Sequence, residues 1–184
     1  MIRHSWFSTY SRLITTDVMA ESLAIRVRSI SRIIITAIAI LVFLGDQATK
    51  AMVENSIPEH SIITILPRVL NLTHVNNAGA AFGLFSESPA PWKTALLIVV
   101  SAALLLTVVV IVWKTRRLHW EAGVGLALIL GGALSNLLDR IRAGKVVDFL
   151  DVYFRSYHWP AFNLADSAIV VGAGFLVIQV LIGE

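Results

Sequence analysis

Apolar residues along this chain gather into four long runs, and each comes close to the roughly 20 residues that cross a hydrocarbon layer as a helix. The first extends from about Ile33 to Val53 and carries Asp46, Gln47 and Lys50 in its last third. The second, "ALLIVVSAALLLTVVVIVW" from Ala95 to Trp113, contains no charge. The third, from about Gly123 to Leu138, is short for a span and leads straight into Asp139 and Arg140. The fourth starts near Leu164, takes in Asp166 almost at once and stays apolar to Ile182. This pattern predicts an all-α membrane protein, a bundle of four transmembrane helices. Ala127 with Gly131, and Ala168 with Gly172, place small residues four apart, a spacing that lets helices approach closely within a bilayer. Between the first two runs, "SIITILPRVLNLTHVNN" is rich in β-branched residues and bounded by turn formers, so it reads as short strands. Residues 1–31 are mixed in polarity and lack the apolar core of a signal peptide, which divides the chain into a cytosolic N-terminal extension, 1–31, and a membrane domain, 32–184.

Composition agrees with the pattern: 57% of the 184 residues are hydrophobic and 15% charged, against about 25% charged in soluble domains. Absence of cysteine excludes disulfides, thiolate metal sites and cysteine nucleophiles. The pI near 9.6 does not imply a nucleic-acid partner, because the basic residues flank apolar runs, where they act as topology signals. Arg26, Arg28 and Arg32 precede the first span, and Lys114, Arg116 and Arg117 link the second to the third. Both flanks are expected to face the cytoplasm, which leaves both termini inside and residues 54–94 and 139–163 outside. Arg140, Arg142, Lys145 and Arg155 in the second outer segment run against that rule. With this topology Asp46, Asp139 and Asp166 all fall at the same face of the bilayer.

Those carboxylates are the candidate chemistry. Asn136, Asp139 and Arg140 share one helix face at the outer end of the third span. Asn163 is placed to cap the fourth, which puts Asp166 in the first turn, where the helix dipole favours a negative charge. Asp148 lies in the connecting segment among Val146, Val147 and Phe149, surroundings that favour its protonated form. Two carboxylates under such opposite pressures, if they meet, share a proton near neutral pH and act as acid and base on a water. Asp148 and Asp166 are such a pair of candidates. Plainer readings stand beside this one: Asp139 with Arg140 and Arg142 as a polar clamp on the loop, Asp46 with Lys50 as an interfacial ion pair or a site lining, and Asp151 with Arg155 as a surface pair. "NNAGAAFGLF", Asn76 to Phe85, suits either close backbone approach to an extended ligand or a turn with Phe82 dipping into the membrane. Trp92, Tyr153, Tyr157 and Trp159 read as an interfacial belt. Ser135 or Ser167 with Lys50 would make a Ser/Lys peptidase, but no spacing favours it. Scattered histidines and the lack of HExxH give no metal site, and no glycine-rich phosphate loop occurs. A transporter or proton channel, which would spread carboxylates through the membrane depth, and a lipid-binding assembly factor, in which the aspartates would be dispensable, are the rival functions.

Four stretches in order, "DQATK", "NNAGAAFG", "GGALSNLLDRIRAGKVVDFLDVYF" and "FNLADS", resemble the bacterial lipoprotein signal peptidases, also called signal peptidase II or prolipoprotein signal peptidases, over about residues 33–182. The resemblance implies an aspartic endopeptidase of the bacterial inner membrane. Such enzymes cut the signal peptide from a prolipoprotein just before its diacylglyceryl-modified cysteine. It implies Asp148 and Asp166 as catalytic residues, with Asp46, Asn77, Asn136, Asp139, Arg140 and Asn163 lining or supporting the pocket. It also implies a small extracytoplasmic β-sheet cradle, contact with membrane lipid and a monomer, with neither metal nor cofactor.

Overall fold

The computed structural model describes residues 29–79, 91–115 and 118–182, so the expectations for residues 1–28 and for Phe82 lie outside the described residues. Strand β1 (Ser29–Ile30) leads into helix α1 (Arg32–Ser56), whose N-cap Ser31 accepts a hydrogen bond from the Ile34 amide at 3.4 Å. Strands β2 (Ile62–Leu66) and β3 (Leu70–Asn77) follow, then α2 (Pro91–Lys114), β4 (Leu118–His119), α3 (Trp120–Ala143), β5 (Val146–Phe154), β6 (Tyr157–His158) and α4 (Leu164–Ile182). Among the described residues four helices are long and apolar enough to cross a membrane, and they stand where the apolar runs placed them. The third is longer than its apolar run: Asp139, Arg140 and Arg142 continue the helix, which ends where Gly144 takes the left-handed conformation (φ 71°) as C-cap.

α3 is the centre of the bundle and packs against α1, α2 and α4. On α1 the buried positions Ile35, Ala39, Asp46, Lys50 and Val53 form one stripe at helical spacing, while Ile33, Ile40, Leu41, Leu44 and Met52 point outward. Gly131 lies so near α1 that an added methyl would stand 2.5 Å from the Ala39 carbonyl oxygen, and one on Gly132 would stand equally near that of Ala165 on α4. Close approach of the backbones is what small residues provide in a bilayer, where apolar burial gives no drive to associate.

At one end of the bundle an antiparallel sheet runs in the order β2-β3-β5-β6, with β3 from the first inter-helix segment paired to β5 from the third. At the other end β1 pairs with β4. The expected strands in residues 61–77 are present as β2 and β3. The connecting segment around Asp148 is itself a strand, which the sequence reading did not foresee. Val147 and Phe149 on one face of β5 pack on Val53 and Ile57 at the end of α1, so alternation turns Asp148 to the other face. The Phe162 carbonyl accepts from the amides of Phe149 and Leu150, and the Phe162 amide donates back to Leu150. This return pins the start of α4 against β5.

Candidate active site

That pinning is what joins residues 148 and 166. Asn163 is fully buried and caps α4: its Oδ1 accepts from the Asp166 amide at 2.9 Å, and Asp166 Oδ2 accepts from the Asn163 amide at 3.3 Å, a reciprocal box at the helix start. The Asn163 Nδ2 then donates to Asp148 Oδ1 at 2.8 Å. Asn163 therefore bridges the two aspartates, its side chain joining the Asp148 carboxylate to the Asp166 backbone and its own amide meeting the Asp166 carboxylate. The second oxygen of Asp148 accepts from Asn77 Nδ2 at 2.9 Å. Asn77 sits two residues beyond Val75, the β3 partner of Asp148, and so shares its face of the sheet. The second oxygen of Asp166 accepts from Asn136 Nδ2 on α3 at 2.8 Å.

The environment of Asp148 acts on its proton. Burial raises its pKa from the usual carboxylate value to about 7; the hydrogen bond from Asn77 opposes the rise, the charge of Asp166 adds to it, and Asn163 and Lys50 oppose it. Arg140 faces the same site, with its guanidinium donating to the Asn136 carbonyl at 3.3 Å and to the Gly79 carbonyl at 3.2 Å. Gly79 in turn donates its amide to Asn77 Oδ1 at 2.8 Å, so the segment after β3 is tied to α3 beside the aspartates.

Below this pair lies a second polar layer. Lys50 Nζ contacts Asp46 Oδ2 at 2.6 Å, Asp139 Oδ2 at 2.6 Å and Asn136 Oδ1 at 2.7 Å. Asp46, wholly buried, also accepts from Ser135 Oγ at 2.7 Å and from the Ala165 amide at 2.8 Å. Gln47 Nε2 donates to Ser135 Oγ at 2.9 Å and to Asp139 Oδ1 at 2.7 Å.

Residues 38–182 match the sequence profile of the family described as Signal peptidase (SPase) II. The chain belongs to the signal peptidase II family. It is 42% identical over 144 residues to the lipoprotein signal peptidase of Solibacter usitatus (strain Ellin6076), covering 78% of this chain and 88% of that relative. To the lipoprotein signal peptidase of Nitratidesulfovibrio vulgaris (strain DP4) it is 44% identical over 142 residues, 76% of this chain and 84% of the relative. Its fold matches a bacterial membrane enzyme solved by the in meso method at 2.3 Å resolution, with a TM-score of 0.75 and 29% identity over 84% of this chain and 91% of that one.

In this signal peptidase II family member the eight residues picked out by resemblance, Asp46, Asn77, Asn136, Asp139, Arg140, Asp148, Asn163 and Asp166, lie in one connected network. Several plainer readings of single residues change. Asp139 engages Lys50 and Gln47 on α1 rather than the arginines beside it, since its side of α3 faces α1. Asp46 and Lys50 do pair, but buried between helices and not at an interface with water. Asp151 bonds His158 Nδ1 at 2.9 Å and Asn71 Nδ2 at 2.8 Å instead of pairing with Arg155. The i, i+4 rule belongs to helices, and in a strand such residues stand a full 13 Å or so apart. Of the aromatic belt, Trp92, Tyr157 and Trp159 are exposed, whereas Tyr153 is half-buried, stacked on His158 and accepting from the Arg68 amide. Gln47 joins the network without having been a candidate, while Lys50 and Ser135 enter the sequence analysis only in alternative readings, Lys50 as a site lining beside Asp46 and Ser135 as its partner in a Ser/Lys pair. A Ser/Lys mechanism finds no support: all three donors of an ammonium group are matched by the acceptors around Lys50, and Ser135 donates to Asp46.

Proposed function

We propose that this peptidase is of the aspartic type, with Asp148 and Asp166 as its catalytic dyad, and that it removes the signal peptide from diacylglyceryl-modified prolipoproteins just before the lipidated cysteine. The bridge of Asn163 between the two aspartates is the observation that carries this reading. Two carboxylates that face one site share one proton, and the charge of Asp166 acts on Asp148. The ionised partner takes a proton from a water as its oxygen attacks the scissile carbonyl carbon. The protonated partner hydrogen-bonds the developing oxyanion, and collapse of the tetrahedral intermediate breaks the C–N bond while a proton passes to the leaving amine. The raised pKa of Asp148 suits a group that carries the shared proton near neutral pH. Asn136 and Asn163 fix the carboxylates, Asn77 secures Asp148, and Arg140 supplies positive charge beside them. Asp46 and Asp139 support the helix ends beneath.

Placement of the site gives the activity its reason. A signal peptide is apolar and its acylated cysteine is held at the membrane surface, so the scissile bond does not leave for a soluble protease. We place the sheet and the aspartates at the extracytoplasmic face of the bacterial inner membrane, with both termini cytoplasmic, because Arg32 and Lys114 lie at the opposite end of the helices from Asp46 and Asp166. Carboxylates gathered at one end of the bundle fit a peptidase better than a transporter, which needs them through the depth. The test is incubation of the purified protein with a diacylglyceryl-modified prolipoprotein. The parent is expected to release the signal peptide, and Asp148→Asn and Asp166→Asn to slow it by about 1,000-fold or more. Turnover near the parent's by either variant, with its fold intact, removes the dyad.

A further inference from the structure

Among the described residues Asn136 is the one side chain that hydrogen-bonds into both polar layers, and the direction of its amide decides what Asp166 meets. The two ends of an asparagine amide differ only in what they offer: Oδ1 accepts, Nδ2 donates. Lys50 settles the direction, because an ammonium group has three donors and no acceptor. With Lys50 Nζ 2.7 Å away, Asn136 presents Oδ1 toward α1, and Nδ2 is left to donate to Asp166 at 2.8 Å. Asn163 Nδ2 reinforces the same choice with a longer contact to Asn136 Oδ1 at 3.4 Å. Lys50 itself is held by Asp46 and Asp139 and is 4% exposed, so it has no freedom to turn away.

We infer that Lys50 is a positioning residue of the reaction: by fixing the Asn136 amide it keeps a hydrogen-bond donor on Asp166 and so makes Asp166 the dyad member that acts as the base. This rests on the dyad reading above. If the amide turned over, Oδ1 would face a carboxylate oxygen, and two acceptors meet favourably only when one carries a proton. Asp166 would then hold the proton needed elsewhere. The charged groups facing Asp166 are Lys50 from α1, Arg140 from α3 and Asp148 from β5.

The test separates the amide's direction from the mere loss of a cation. Lys50→Met removes both the charge and the contact with Asn136. The double variant Lys50→Met with Asp139→Asn restores the net charge of the buried layer, and relieves the fold of an unpaired carboxylate, while leaving Asn136 unanchored. Both are measured for kcat and KM against pH on the diacylglyceryl prolipoprotein, beside Asp148→Asn and Asp166→Asn, with thermal unfolding as the check on folding. We expect kcat to fall about 100-fold in both, KM to change less than about threefold, and the acid limb of the kcat profile to move up by about one pH unit in both. If the limb returns to the parent's position in the double variant, Lys50 acts through charge alone and the inference is overturned. A lowered kcat with an unmoved limb in both variants assigns Lys50 a structural role and also overturns it. Loss of activity in the two aspartate variants with a parental profile in the Lys50 variants removes only this inference. Activity retained in an aspartate variant removes the dyad beneath it.

Discussion

Helices α2 and α3 have the same length and lie side by side, yet they are built on opposite rules. α2 is apolar all round and uncharged from Ala95 to Trp113, and most of its large side chains, Val99, Leu104 and Leu106 among them, are exposed. α3 is the more polar helix and the more buried, with Gly125, Ala127, Gly131, Gly132, Ser135 and Asn136 facing its neighbours. In water the apolar helix would be the core. In lipid, exposure of leucine costs nothing, and helices associate through close backbone approach and polar contacts. The residues that hold this bundle together are therefore the small and polar ones of α3, and two of them, Ser135 and Asn136, also belong to the polar network of the candidate site.

The contrast breaks most sharply over pH, because the middle of α2 has nothing to titrate. Asp148 has a folded-state pKa raised from 3.8 to about 7. The folded form thus binds its proton more tightly than the unfolded chain does. Its contribution to stability is fully present below about pH 4 and is lost as pH rises through about 7. At 1.36 kcal/mol per unit the loss reaches about 4 kcal/mol at most. The parent in detergent should unfold at a lower temperature at pH 8 than at pH 5.5, and Asp148→Asn should flatten that difference and gain stability at pH 8. An identical pH dependence in the variant would show that another group controls it. A somewhat smaller effect is expected from Gly132→Leu. With the Ala165 carbonyl where the new side chain must go, α3 and α4 are forced apart, at a cost of about 3 kcal/mol. The measured outcome is a lowered unfolding temperature together with loss of peptidase activity, since Asn136 and Asp166 separate with the helices.

The four spans were legible because length against the bilayer is a one-dimensional property, and a charge-free run such as residues 95–113 admits one reading. The end of α3 was less so. Asp139, Arg140 and Arg142 look like the start of a loop until Gln47 and Lys50, from another helix, are seen to satisfy Asp139. The strand around Asp148 was hidden for a related reason. Its partner β3 comes from a distant segment, and an apolar run with few alternations does not announce a strand. Capping of the fourth helix by Asn163 was readable, being local. That the cap's other end reaches Asp148 was not, since it depends on Phe162 pairing with Leu150.

Ser135→Ala sharpens the comparison at the scale of a single hydrogen bond. The hydroxyl is fully buried, donates to Asp46 and accepts from Gln47, so its loss leaves a carboxylate oxygen with one donor fewer. A cost of about 1–2 kcal/mol is expected, with kcat reduced a few-fold. Thermal unfolding and the cleavage assay read the two effects separately. No change in either would show that Gln47 or Lys50 takes over the vacated position.

The smallest effect should come from the largest change. Val99→Ala, Leu104→Ala and Leu106→Ala together remove far more apolar surface than Ser135→Ala does, but from side chains that are all exposed on α2. Each exchange gives up contacts with lipid in both the folded and the separated state, so the difference between those states is nearly untouched. The triple variant keeps an uncharged run of spanning length and should unfold within about 0.5 kcal/mol of the parent, with unchanged turnover. Should it instead cost more than the single serine substitution, these side chains are covered by a partner in the membrane, and the helix that looks idle would join the assembly.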